Sequence, residues 1–139
     1  MGMIKKKIKI SNAADLTRKK DGTIPPDKVR FVEVEGIIDT GARMLCLPLD
    51  LAETLGLEKV GKKTVRYANG EKDVKDIGSG VILELMGRLC ECQVLIEKVG
   101  APVLVGQIPL EDLDLIADMS KEELTVNPES PYMPLAYMY

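Results

Sequence analysis

Asp39 is the residue whose position in this sequence most strongly suggests chemistry. It ends the apolar run at the start of VEGIIDTGARMLCLP, and Thr40, Gly41 and Ala42 follow it. An ionised carboxylate at the end of a buried strand is costly unless a neighbouring group stabilises it. Such a group can act as a general base on a water molecule, or its side chain can simply cap a turn. The tripeptide Asp-Thr-Gly alone leaves both interpretations open.

The sequence contains no histidine, which narrows the possible chemistry. Ser-His and Cys-His nucleophile pairs are excluded, as are metal sites built on histidine. The chain has three cysteines, Cys46, Cys90 and Cys92, and a small, odd number of cysteines does not indicate a disulfide framework. Without histidine, three thiols also make a poor zinc site. Because Cys90 and Cys92 lie two apart on a predicted strand, we interpret them as small buried apolar residues. We therefore expect neither a metal nor another cofactor.

The overall composition predicts one globular domain over residues 1–139. Apolar residues make up 45% of the chain, which is enough for a core, and the net charge of -3 does not favour nucleic acid. The sequence has no apolar run of about 18 residues, so no membrane span is expected. The basic start, MGMIKKKIKI, lacks the longer apolar segment of a secretory signal. We expect a cytoplasmic protein.

Many short strands must position Asp39. Alternating apolar and polar residues predict strands over 3–11 and 29–38, a short strand over 43–48, hairpins within 62–76 and 81–97, and a buried strand over 101–106. Short helices are predicted over 48–57 and 109–119, whereas Gly and Pro residues within 12–28 indicate a connecting loop. The pattern favours a mainly β, closed barrel with one or two short helices.

Two further segments are informative. Asn69-Gly70 predicts a two-residue hairpin turn, and its polar flanks indicate that the hairpin projects into solvent. The C-terminal residues PLAYMY are apolar, so we expect this tail to pack against another surface.

The order of these features resembles the retropepsin-like aspartic proteases, most closely their small single-domain bacterial and archaeal members. In that family an apolar strand delivers Asp-Thr/Ser-Gly, a hairpin flap follows, and a second apolar strand ends in Gly before a short helix. Here the corresponding segments are DTGA, the hairpin at Asn69-Gly70, and PVLVG before PLEDL. The resemblance extends over roughly residues 29 to 118.

The resemblance implies a homodimeric endopeptidase in which two copies of Asp39 form the catalytic dyad. One ionised carboxylate would activate water while the protonated one polarises the scissile carbonyl of a peptide substrate. The resemblance also assigns roles to further residues. Supporting positions around the dyad are Thr40, Gly41, Ala42, Val105 and Gly106; the flap candidates are Tyr67, Asn69 and Gly70.

One position departs from the retroviral pattern. Those enzymes often carry Gly-Arg after the second apolar strand, where Arg stabilises the dimer, but this chain has Gly106-Gln107. Gln cannot make the same charge-assisted bidentate contact. The terminal segments KIKI and PLAYMY are therefore candidates for the dimer interface.

Two other functions compete with proteolysis. The same fold can serve as a non-catalytic peptide-binding or dimerisation module, because a fold does not determine a function. A thiol-based redox or metal protein would instead use Cys90 and Cys92, although a Cys-x-Cys pair on a strand lacks the usual partner residues.

Overall fold

The first two strands bury one face because their side chains alternate in character. In the computed structural model, which describes residues 3–138, β1 (Ile4–Asn12) pairs antiparallel with β2 (Phe31–Ile38). Ile8 and Ile10 on β1 are buried, whereas Lys7, which precedes them, is exposed and Lys9, which lies between them, is half-buried. Successive strand residues point to opposite faces, so this alternation turns one side of the pair toward the core.

The main sheet closes on itself. Its remaining strands are β3 (Leu45–Pro48), β4 (Lys59–Arg66), β5 (Lys72–Leu85), β6 (Arg88–Glu97) and β7 (Leu104–Val105). The strand order is β1-β2-β7-β3-β6-β5-β4, and β1 also pairs with β5, so six strands form a ring and β4 extends it. The mainly β, ring-like architecture predicted from the sequence is confirmed. Two further strands, β8 (Leu115–Asp118) and β9 (Glu123–Val126), pair with each other.

In the part of the chain that the structure describes, three short helices accompany the strands, rather than the one or two that were predicted. They are α1 (Ala13–Lys20), α2 (Leu49–Thr54) and α3 (Gln107–Asp112), with a single 3-10 turn at Pro26–Lys28. Within residues 3–138, none of the helices combines the length and apolar character needed to cross a membrane.

Helix α1 lies in the segment that was predicted to be only a connecting loop. The Asn12 side chain caps it by accepting the backbone N–H of Asp15 at 3.0 Å. The buried Asp15 carboxylate in turn accepts two bonds from the Arg30 guanidinium, at 2.8 and 2.9 Å. The cap and the ion pair stabilise helix α1, so the prediction of a connecting loop, which was based on the Gly and Pro residues downstream, is wrong for residues 13–20.

The predicted helix over 109–119 is also wrong in extent. Helix α3 ends at Asp112, and Asp114 then adopts a left-handed backbone conformation with φ of 55°. This reversal ends the helix and sends the chain into β8 as an extended strand.

Among residues 3–138, the buried apolar side chains form one large cluster and one small one. The large cluster fills the ring, with Ile10, Leu45, Leu83, Val94 and Val105 among its fully buried members. The small cluster consists of Cys46, Ile77 and Leu95, with Met44, Val65 and Leu104 packed against it. Cys46 lies between Leu45 and Leu47, which belong to the large cluster, so β3 contributes to both.

The C-terminal segment is attached at its start and exposed at its end. The buried Arg88 donates hydrogen bonds to the carbonyls of Leu113 and Asp114, at 3.0 and 3.1 Å, and to that of Ser130. Beyond Ser130, residues 131–138 are exposed, and the Leu135 N–H donates to Asp114 Oδ2 at 3.1 Å. The packing expected for the apolar end PLAYMY is therefore not made within a single chain over residues 134–138, and Tyr139 lies outside the described residues.

Candidate active site

The loop that carries Asp39 begins where β2 meets β7. These strands run parallel, with Ile38 opposite Val105. The Asp39 N–H continues this ladder by donating to the Val105 carbonyl at 3.0 Å. Asp39 is therefore the first residue beyond the apolar strand, and it is half-buried. Strand pairing fixes its backbone and leaves its side chain at the rim of the core.

Backbone N–H groups of the following residues hold both the carboxylate and the carbonyl of Asp39 in place. The Gly41 N–H donates to Asp39 Oδ1 at 2.9 Å, and the Ala42 N–H donates to the Asp39 carbonyl at 3.1 Å. A Cβ at Gly41 would lie 3.2 Å from the same Oδ1, which is a tight contact. Thr40 is exposed, and within residues 3–138 its hydroxyl has no hydrogen-bond partner. One carboxylate oxygen is thus held by the loop, and the other has no protein partner within that range.

The residues that follow β7 bind the Asp39 loop through backbone hydrogen bonds. The N–H of Gly106 donates to the Met44 carbonyl at 3.1 Å, and the N–H of Gln107 donates to the Ala42 carbonyl at 2.8 Å. The Ile108 N–H completes the set by donating to the Arg43 carbonyl, also at 2.8 Å. Three consecutive donors therefore meet three consecutive carbonyls, and two segments far apart in sequence form one rigid unit.

The flap candidates lie at the tip of the β4–β5 hairpin. The turn differs from the two-residue form that Asn69-Gly70 predicted, because Tyr67 N–H bonds the Glu71 carbonyl at 2.9 Å and leaves three residues in the loop. Gly70 N–H also bonds the Tyr67 carbonyl at 2.9 Å, and Gly70 has φ of 87°. Glycine is needed at that conformation, at the position where the turn rejoins the strand. The hairpin is largely exposed, as its polar residues had predicted.

Polar contacts attach the flap to the end of β6. The Tyr67 hydroxyl donates to Glu97 Oε1 at 3.2 Å. Lys75 Nζ lies 3.4 Å from Glu97 Oε2 and 3.3 Å from Asp73 Oδ2. The Lys75 and Glu97 side chains are only 16% and 15% exposed, so this ion pair is largely shielded from solvent. Sequence analysis missed this network, because Tyr67 and Glu97 are 30 residues apart.

The small apolar cluster lies between the flap and the Asp39 loop. Val65 comes from the flap, Met44 from the loop, and Cys46 and Ile77 from the strands beneath. Burial is the main cause that raises the pKa of the Cys46 thiol, to about 11, and the charges of Glu97 and Asp39 add to it. Cys46 is therefore a protonated apolar residue at neutral pH and not a nucleophile.

The remaining cysteines lie on β6, away from the loop. Cys90 is buried and Cys92 is half-buried, and both are free thiols. A hydrogen bond with Cys92, together with burial, raises the pKa of Cys90. Across residues 3–138, no three His, Cys, Asp or Glu side chains are arranged to hold a metal ion.

The predicted site residues thus occupy two places. The loop residues Asp39 to Ala42 and the β7 residues Val105 and Gly106 form one hydrogen-bonded unit. Tyr67, Asn69 and Gly70 lie together at the hairpin tip, and Asn69 Oδ1 accepts the Glu71 N–H at 2.9 Å. In a single chain, Tyr67 binds Glu97, and no hydrogen bond within residues 3–138 joins the hairpin tip to Asp39.

Solved structures of two proteins are similar to this chain. The retroviral protease-like domain of Ddi1 from Leishmania major has 16% identity and a TM-score of 0.53, with 92% of this chain and 90% of that chain covered. EIAV protease complexed with the inhibitor HBY-793 has 18% identity and a TM-score of 0.47, covering 58% of this chain and 76% of that chain. No match was found among curated proteins.

A family model also matches the part of the chain that contains the site. The model, described as aspartyl protease, matches residues 22–106, from the segment before β2 to the glycine behind the Asp39 loop. The matched region includes the flap hairpin and most of the closed ring. With its Asp-Thr-Gly loop locked against β7, this chain belongs to the retropepsin-like aspartyl protease family.

Proposed function

We propose that two copies of this chain form an aspartic endopeptidase in which each supplies one Asp39. The observation that carries the proposal is the way in which hydrogen bonds orient the Asp39 carboxylate. One oxygen accepts the Gly41 N–H at 2.9 Å, while the backbone is fixed by Val105 at 3.0 Å. A side chain oriented in this way at the edge of a core is suited to meet its two-fold equivalent.

The chemistry follows from placing two carboxylates together. At about 3 Å and an effective dielectric constant near 20, two negative charges repel by about 5 kcal/mol, so the pair retains one proton. The ionised Asp39 takes a proton from a bound water, which attacks the peptide carbonyl carbon. The protonated Asp39 of the other copy donates a hydrogen bond to the carbonyl oxygen. The Asp39 that took a proton from water then gives this proton to the leaving nitrogen as the C–N bond breaks.

Exposed groups around the loop and in the tail support a dimer. Thr40 is exposed next to Asp39, so its hydroxyl is available to a second copy. The tail carries a series of exposed apolar side chains that a single chain leaves uncovered. The most exposed are Tyr132 (94%), Met138 (92%) and Met133 (70%). Apolar surface of this kind is typical of an interface.

The flap completes the site in this proposal. The β4–β5 hairpin covers an extended peptide and pairs with it through backbone groups, excluding water from the reacting bond. Met44 and Val65, which are partly buried against the small apolar cluster, form part of the surface against which the peptide would lie.

The decisive experiment combines sedimentation with a digest of a peptide library. Wild-type protein, Asp39→Asn and the control Asp27→Asn, which changes an exposed carboxylate on the 3-10 turn, are compared at one concentration. We expect all three to sediment as dimers and only Asp39→Asn to lose cleavage. Cleavage that survives in Asp39→Asn contradicts the catalytic assignment. A folded dimer that binds peptides without cleaving them identifies the chain as a peptide-binding module.

A further inference from the structure

Lys63 lies on the flap strand β4 with its ammonium group close to the Asp39 loop. Its Nζ is 3.8 Å from Met44 Sδ, and Met44 is the loop residue whose carbonyl accepts the Gly106 N–H. Val65, two residues further along, shares this face of the strand and packs into the small apolar cluster. The Lys63 side chain is therefore on the face of the hairpin that is turned toward the site.

The charge on Lys63 is not neutralised by the protein, unlike that of its neighbour. Lys62 Nζ lies 2.8 Å from Asp76 Oδ1 on the opposite face of the hairpin. Lys63 is exposed and has no carboxylate within ion-pair distance among residues 3–138. Its cross-strand neighbour is Lys75, which carries the same charge.

The other charged side chains near the site add to the excess of unpaired positive charge. Glu97 is compensated by Lys75 at 3.4 Å and by the Tyr67 hydroxyl at 3.2 Å. Arg43, on the loop itself, is exposed and likewise has no carboxylate partner within residues 3–138. Lys63 on the flap and Arg43 on the Asp39 loop are therefore two exposed cations without an ion-pair partner among residues 3–138, although the whole chain has a net charge of -3.

We propose that Lys63, together with Arg43, selects peptide substrates that carry acidic side chains next to the scissile bond. This inference rests on the proposed function, because it assigns a substrate class to the same site. Local cations attract an acidic peptide that the net negative charge of the protein would otherwise repel. In a two-fold dimer each flap carries one Lys63, so acidic residues are favoured on both sides of the cleaved bond.

The test uses three peptides that differ only at the residues flanking the scissile bond, which are Glu, Gln or Lys. Their cleavage is compared for wild type, Lys63→Gln, Lys63→Glu and Lys63→Arg. Lys62→Gln is the matched control, because it removes the adjacent charge from the opposite face of the same strand. Binding of the same peptides, labelled with a fluorophore, is measured by anisotropy on Asp39→Asn.

For wild type we expect kcat/KM for the Glu peptide to exceed that for the Gln peptide by about two- to fivefold, as for an exposed ion pair. The preference should disappear in Lys63→Gln, reverse in Lys63→Glu, and persist in Lys63→Arg and Lys62→Gln. Because salt screens exposed charges, the preference should also shrink between about 0.05 and about 0.5 M ionic strength.

Two different failures can be distinguished. If peptides are cleaved with equal or greater efficiency when they are neutral or basic, or if Lys63→Gln keeps the acidic preference, the inference is overturned while proteolysis stands. If no peptide is cleaved but Asp39→Asn binds the Glu peptide through Lys63, proteolysis fails and the ligand class stands.

Discussion

Gly106 and Met44 are in such close contact that no side chain fits between them. The Gly106 N–H donates to the Met44 carbonyl at 3.1 Å, and a Cβ on Gly106 would lie 2.5 Å from that oxygen. The same Cβ would also lie 2.6 Å from the Arg43 carbonyl carbon and 2.7 Å from the Ala42 carbonyl oxygen. All three atoms belong to the backbone of the loop that carries Asp39, so the loop would have to move.

Gly106→Ala should therefore damage the site and the fold together. Overpacking of this kind costs about 1 to 3 kcal/mol of unfolding free energy. The rate of peptide cleavage should fall even under conditions where Gly106→Ala remains folded, because the change disturbs the geometry of the Asp39 loop directly. Urea denaturation and peptide kinetics measure the two effects. Gly61→Ala is the control, since a Cβ there meets no atom within 4 Å; equal effects of the two changes would contradict this account.

The ion pair between Asp15 and Arg30 should make stability depend on acid pH. The Arg30 side chain is the main cause that lowers the pKa of Asp15 from 3.8 to about 2. The unfolded chain therefore takes up this proton at higher pH than the folded chain does. Stability from this pair is fully present above about pH 4 and is lost as the pH falls toward about 2.

The magnitude is limited by solvent, because the Arg30 side chain is 46% exposed. We expect Asp15→Asn to cost about 1 to 2 kcal/mol at neutral pH and to flatten the stability profile between about pH 4 and pH 2. Chemical denaturation at a series of pH values measures it. Asp27→Asn, which changes an exposed carboxylate, should keep the wild-type slope.

Removing Arg88 should release the C-terminal segment. Its guanidinium bonds the carbonyls of Leu113, Asp114 and Ser130, and Arg88→Met leaves these acceptors without the charged donor. We expect a loss of about 2 to 4 kcal/mol and faster amide hydrogen exchange across residues 127–138. Arg66→Met, which changes an exposed arginine of the flap, should leave exchange in the tail unchanged.

The contact between Tyr67 and Glu97 should restrain the flap. Tyr67→Phe removes the 3.2 Å hydrogen bond while keeping the ring. We expect faster hydrogen exchange in residues 59–75 and a rise in KM of about two- to fivefold, corresponding to an exposed bond of about 1 kcal/mol or less. Tyr132→Phe in the exposed tail should change neither. Unaltered exchange in the flap would show that Lys75 alone holds Glu97.

The cysteines should prove dispensable for activity. With the pKa of Cys46 raised to about 11 by burial, its thiolate is rare at neutral pH, and alkylation should be slow until the chain unfolds. Cys90→Ala with Cys92→Ala should retain peptide cleavage. Loss of cleavage in a double variant that remains folded would revive a function for these thiols.

The sequence predicted those features that depend on local pattern. Asp39 was placed at the end of its strand because alternating apolar residues stop there, and the ring followed from the number of short strands. Helix α1 was missed although its cap was visible, because Asn12 and Asp15 were outweighed by the Gly and Pro residues that follow. The early end of α3 depends on the left-handed conformation of Asp114, which its residue type does not reveal.

The contacts around the site required the fold. Lys75, Glu97 and Tyr67 come from three different parts of the chain, and no periodicity relates them. Likewise, Lys62 and Lys63 are identical neighbours in the sequence. Only strand pairing shows that one is neutralised by Asp76 and that the other lies beside Met44.

The pairing of β2 with β7 has a consequence for synthesis of the chain. Asp39 leaves the ribosome long before Val105 and Gly106, whose backbone groups hold its loop. A nascent chain therefore possesses the carboxylate without the strand that orients it. A polypeptide that stops short of β7 therefore cannot assemble the loop that holds Asp39.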